Sequence, residues 1–75
     1  MREHLRGLRE DKDLSQGEMA KLLNVHQTTY SSYELGSLNI PVDRLIELSK
    51  YFDTSVDYLL DLTDEVRPYP RRKRR

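Results

Sequence analysis

At 75 residues, with 13 basic and 13 acidic side chains and no cysteine, the chain allows one small domain and excludes a disulfide scaffold or a cysteine zinc site. No stretch has the length and apolarity of a membrane span, and M-R-E-H-L-R lacks the apolar run of a signal peptide, so a soluble cytoplasmic protein with no membrane partner is expected. The zero net charge hides a segregation: residues 1–66 hold 7 Lys and Arg against 13 Asp and Glu, a balance of −6, and residues 67–75 carry +6.

The first helix, over about residues 2–12, places Leu5 and Leu8 three apart on one face and charges on the others. Leu14 closes the loop behind it. Ser15 and Glu18 then stand at capping-box spacing, so the serine hydroxyl can accept from the Glu18 N–H while the Glu18 carboxylate reaches back to the Ser15 N–H. Met19, Ala20 and Leu23 repeat along one side of the helix that follows, and Asn24, tolerant of left-handed dihedrals, is its stop. Gly17 costs up to ~1 kcal/mol relative to alanine inside a helix. It is read as tolerated near a helix end, close approach to a phosphate being the other account.

Val25 turns inward, and a third helix runs from Gln27 to Leu35, ending at Gly36, whose missing Cβ suits a helix C-terminus. At 100° per residue, Gln27, Thr28, Ser31, Ser32 and Leu35 share one side, with Thr29, Tyr30 and Tyr33 on the other. Short amides and hydroxyls suit the base edges of a DNA major groove, where glutamine can be bidentate to adenine and serine or threonine can bond several bases. Such a face is equally ordinary on a solvated helix. Met19, Ala20, Leu23, Val25 and Tyr30 should pack beneath the turn between the two helices. Ala20 is the tight position there.

After a connector at residues 38–40, Pro41 sets the backbone for the first turn of a fourth helix whose inner face is Leu45, Leu48 and Phe52. Ser55 caps a fifth, with Val56, Leu59 and Leu60 inward and Asp57 at the positive end of its dipole. Leu60, Leu62 and Val66 continue past what so small a core can bury, and leave either an exposed apolar strip or a frayed hydrophobic end. The run R-P-Y-P-R-R-K-R-R breaks the composition. Its prolines stop a helix and its charges repel, which bounds a domain at 1–66 and leaves 67–75 as a basic tail, expected to be disordered alone and to touch phosphates through Arg71, Arg72 and Lys73.

Enzyme chemistry lacks parts. His4 and His26 are isolated, there is no cysteine nucleophile, and three glycines build no phosphate loop, so neither a cofactor, a metal nor a small-molecule substrate is expected.

Residues 15–36, S-Q-G-E-M-A-K-L-L-N-V-H-Q-T-T-Y-S-S-Y-E-L-G, resemble the helix-turn-helix of the phage-repressor-type family, the Cro-like and lambda-repressor-like group. Gln16 opens its first helix, Ala20 stands where the helices cross, Val25 follows the turn, and Tyr33, Glu34 and Gly36 close it. The likeness extends to L-R-x-L-R at residues 5–9 and to P-x-x-x-L and S-V-D-Y-L-L between residues 41 and 60, and covers roughly residues 4–61. Two positions depart from the pattern: Ser49 stands for the usual alanine, and His26 for the serine or threonine that caps the reading helix.

The resemblance implies an all-α, compact five-helix lambda-repressor-like DNA-binding domain, with the helix-turn-helix formed by helices 2 and 3. It further implies a bacterial or phage transcriptional repressor acting as a homodimer on a palindromic operator of double-stranded DNA, its reading helices about 34 to 36 Å apart. By the same resemblance Gln16 holds a phosphate and braces Gln27; Gln27, Thr28 and Ser32 read bases, with Ser31 as a weaker reader; His26 caps or touches a phosphate; and Arg9 pairs with Glu34. The Tyr33 hydroxyl is a phosphate candidate, with core packing as its alternative. No Lys or Arg lies between Leu22 and Asp43, which speaks against contact with phosphates. The competing reading is a protein-interaction module, antitoxin-like or adapter, with any nucleic-acid binding due to the tail.

Overall fold

The computed structural model describes residues 1–68, and the tail positions Arg71, Arg72 and Lys73 lie outside them. Five helices follow one another, α1 (Glu3–Asp11), α2 (Gln16–Leu23), α3 (Gln27–Leu35), α4 (Val42–Tyr51) and α5 (Val56–Leu59), with no strand among the described residues.

The boundaries of α2 and the end of α3 have local causes. The α2 capping box forms, with Glu18 N–H donating to Ser15 Oγ at 3.0 Å and Ser15 N–H to Glu18 Oε1 at 2.8 Å. The Ser15 N–H, with the Ser15 hydroxyl beside it, holds the Glu18 carboxyl below the usual carboxylate range. Asn24 ends α2 at φ 57°, and the Val25 N–H returns to the Ala20 carbonyl at 2.9 Å. Gly36 ends α3 at φ 81°, a left-handed conformation that a side chain would strain. Pro41 sits immediately before α4, at the N-cap rather than within the first turn.

The fifth helix is a single turn. Ser55 Oγ accepts from the Tyr58 N–H at 3.0 Å, and the chain then leaves the helix because Asp61 takes φ 61° while the Leu62 N–H closes on the Asp57 carbonyl at 2.9 Å. Leu60, Leu62 and Val66 therefore do not share a helical strip. Leu60 packs against the core, whereas Leu62 and Val66 are exposed on a segment tied back by Thr54 Oγ1, which donates to the Val66 carbonyl at 2.6 Å.

That segment also closes the first helix. No side chain of α1's own caps its N-terminus, but the Asp61 carboxylate accepts from the Glu3 and His4 N–H groups, each at 3.1 Å. His4 stacks on Tyr58 with ring centroids 3.9 Å apart, its Nδ1 beside the Tyr58 carbonyl and its Nε2 3.2 Å from Asp64 Oδ1. Within this frame the core gathers Leu5, Met19, Ala20, Leu23, Tyr30, Tyr33, Ile40, Leu45, Leu48, Phe52 and Leu59, with Leu8, Leu14, Val25, Val56 and Leu60 at its edge. No helix among the described residues is long and apolar enough to cross a membrane.

Candidate nucleic-acid interface

Helix α3 packs on α2 with its tyrosines down. Tyr30 and Tyr33 are buried and meet edge-on, ring centroids 6.3 Å apart. On the opposite side Gln27 and Thr28 are exposed, and Ser31 and Ser32 are half-buried. The outward face is thus polar, uncharged and narrow, and it ends in Leu35, which is 56% exposed.

Not every expected contact has this geometry. Tyr33 is 3% exposed, so it belongs to the core and not among the phosphate contacts. Ser32 Oγ donates to the Thr28 carbonyl at 3.0 Å, which turns its proton inward and leaves only acceptor capacity for a base. His26 makes no side-chain cap on α3, so the first N–H groups of the helix lack that partner and remain available to an anion. The His26 imidazole itself is exposed beside them.

Gln16 is half-buried, and its Nε2 donates to Glu34 Oε1 at 3.1 Å. That donor holds α2 to α3, where a phosphate contact had been expected for the residue. Glu34 in turn accepts from Arg9 Nε at 2.6 Å and Nη2 at 3.2 Å, a two-pronged pair whose side chains are 12% and 2% exposed. Arg9 Nη1 also donates to the Leu14 carbonyl at 2.8 Å. One buried carboxylate therefore locks α1, α2 and α3 together. Burial alone would raise the Glu34 carboxyl, but hydrogen bonding from Arg9, with Tyr30 and Gln16 beside it, outweighs that and holds it below the usual range. The Tyr30 hydroxyl faces this carboxylate without a formed hydrogen bond, and burial first, then the neighbouring negative charge, push its ionisation far upward.

Sequence reasoning missed what Gly17 does. A Cβ built there would stand 3.1 Å from Gln27 Oε1 and 3.7 Å from its Cδ, so the glycine makes room for the first side chain of α3. Nothing local signals this, because the neighbour is ten positions away. The nearest cation after α3 is Arg44, which is drawn to Glu47 at 2.7 Å and to Asp43 at 3.7 Å.

A helix-turn-helix family model matches residues 5–59. Among curated proteins, an uncharacterised HTH-type transcriptional regulator of Bacillus subtilis, YobD, is 37% identical over 71 residues, covering 95% of this chain and 63% of that protein. A second, YqaE of the same organism, is 41% identical over 58 residues, covering 77% of this chain and 50% of the relative. A putative HTH-type transcriptional regulatory protein of Methanosphaerula palustris is 36% identical over 58 residues, which is 19% of its length. The chain thus spans about two thirds or less of each of these relatives. No solved structure matches it significantly. With five helices in this order, a tight turn between α2 and α3, and a family match across almost the whole described core, the chain belongs to the helix-turn-helix family, as a phage-repressor-like member.

Proposed function

We propose that the chain is a DNA-binding transcriptional regulator that reads the major groove of double-stranded DNA with α3, acting as a repressor in the cytoplasm. The observation that carries this reading is the division of one nine-residue helix: Gln27 and Thr28 stand in solvent at its N-terminal end while Tyr30, Tyr33 and Glu34 anchor its back. Gln27 and Thr28 are the principal readers, with Ser32 as an acceptor and Ser31 beside it. His26 and the uncapped N–H groups of α3 meet a phosphate, and Arg71, Arg72 and Lys73 supply the cationic contacts that residues 23–42 lack. A homodimer on a palindromic site pairs two such helices, with the exposed Leu62 and Val66 at the subunit contact beside the half-buried Leu60.

Binding curves on a duplex selected from a random library test this. Gln27→Ala is expected to weaken the selected site by about 1 to 3 kcal/mol and to relax preference at one base pair. An equal weakening on random DNA would remove Gln27 from the reading role.

Two observations favour a second reading, a protein-interaction module of the antitoxin or adapter kind. Residues 1–66 carry −6, and the exposed side chains around the end of α3 and the start of α4 include Leu35, Leu38, Val42 and Ile46 rather than cations. Absence of any salt-dependent, sequence-preferring duplex binding would favour that module.

A further inference from the structure

We infer that Arg2 is a positioning residue for the reading helix, acting on α3 from its C-terminal end. The inference rests on α3 being the reading helix. The last carbonyls of any helix have no partner within it, and α3 carries no basic side chain in its own last turn to meet its negative end. Arg2 fills that place from the start of α1. Its N–H donates to the Glu34 carbonyl at 2.7 Å, and its Nη1 donates to the Tyr33 carbonyl and, at 3.0 Å, to the Leu38 carbonyl. One guanidinium therefore ties the end of α3 to the connector that leads into α4.

The arrangement pairs with the buried ion pair. Arg2 precedes α1 and Arg9 lies in its last turn, seven positions later and so on the same side of that helix. Arg9 grips the Glu34 carboxylate, and the Arg2 backbone grips the Glu34 carbonyl. Residue 34 is thereby held by both its side chain and its main chain, which fixes how far α3 slides along its axis and how far it rotates. Both movements decide where Gln27 and Thr28 point. Both carbonyls are met by the N–H groups of one nitrogen, Nη1, held in the guanidinium plane, and a lysine ammonium supplies the charge without that fixed plane.

The test takes the full chain, the selected duplex and a random duplex of equal length. Arg2→Ala is expected to lose about 10-fold on the selected duplex, and less than about 2-fold on the random one with the salt slope unchanged. Amide exchange at Gly36 and Ser37, whose N–H groups close the last turn of α3 on the Ser32 carbonyl, is expected to quicken. Arg2→Lys should fall between wild type and alanine. Should the alanine variant not fold, Arg2→Gln, which keeps a donor for one carbonyl without the charge, is measured in its place. Equal losses on both duplexes, a reduced salt slope, or unchanged exchange at Gly36 and Ser37 overturns the inference. If Gln27→Ala leaves specificity intact while exchange quickens in the Arg2 variant, the anchoring stands and the reading role of α3 falls.

Discussion

At the scale of single residues, Gly17 and Gln27 are coupled in opposite directions. Alanine at position 17 gains up to ~1 kcal/mol of helix propensity. Its Cβ, 3.1 Å from Gln27 Oε1, makes the amide swing away, which is cheap for a flexible side-chain end and leaves the fold intact. Gly17→Ala should therefore raise the melting temperature slightly and weaken the selected duplex, with the lost preference confined to the base pair that Gln27 is proposed to read. A variant that binds as wild type would mean that the pose of Gln27 in the free protein does not matter. Glu34 gives a sign in pH. Its folded carboxyl lies below the ordinary 4.5, so it contributes stability at neutral pH that is lost as pH falls below 4.5 and through the folded value. Glu34→Gln strands the nearly buried Arg9 and should cost about 3 kcal/mol at pH 7. Urea midpoints taken from pH 7 to pH 3 should show that gap narrowing as wild-type Glu34 takes up its proton; a gap that stays constant would place the effect elsewhere.

At the scale of the helices, the boundaries that could be read in advance are those whose cause lies within a few residues. Ser15 and Glu18, Asn24, Gly36 and Ser55 each act on their own turn, and α2, α3 and the start of α5 fall where those residues put them. What escaped was set by distant chain. The cap of α1 comes from Asp61, the anchor on α3 from Arg2, and the space beside Gln27 from Gly17, and no local pattern announces any of them. The strip expected of Leu60, Leu62 and Val66 is broken within the structure because apolar composition does not register a left-handed aspartate. Asp61 is both that stop and the α1 cap, so Asp61→Ala should cost about 1 to 2 kcal/mol and expose the Glu3 and His4 amides to exchange. Asp61→Asn keeps an acceptor and tolerates the left-handed backbone, and should cost less than half as much. Equal losses in the two variants would mean that the carboxylate's charge matters more than its cap.

At the scale of the whole chain the question is where residues 1–66, which carry −6, would find the affinity for DNA that the proposed function requires. The proposed reading helix, α3, brings hydrogen-bonding groups and uncapped N–H dipoles but no cation, and the first basic residue beyond it, Arg44, is already drawn to Glu47 and Asp43. The densest positive charge lies in the last nine residues, which carry +6, six of the chain's 13 cations. If residues 71–75 neutralise phosphates, they release counterions in proportion, and their removal should flatten the slope of log affinity against log salt by up to about 4. Base preference should survive the truncation, because the groups proposed to read bases are on α3. The opposite pattern, in which binding vanishes with the tail and Gln27→Ala changes nothing on the full chain, would assign all nucleic-acid affinity to the tail and leave the helix-turn-helix to a protein partner. A third pattern, an unchanged slope with preference retained, would mean that helix dipoles and neutral donors suffice at the phosphates, and that the tail's positive charge serves only to offset the acidity of residues 1–66.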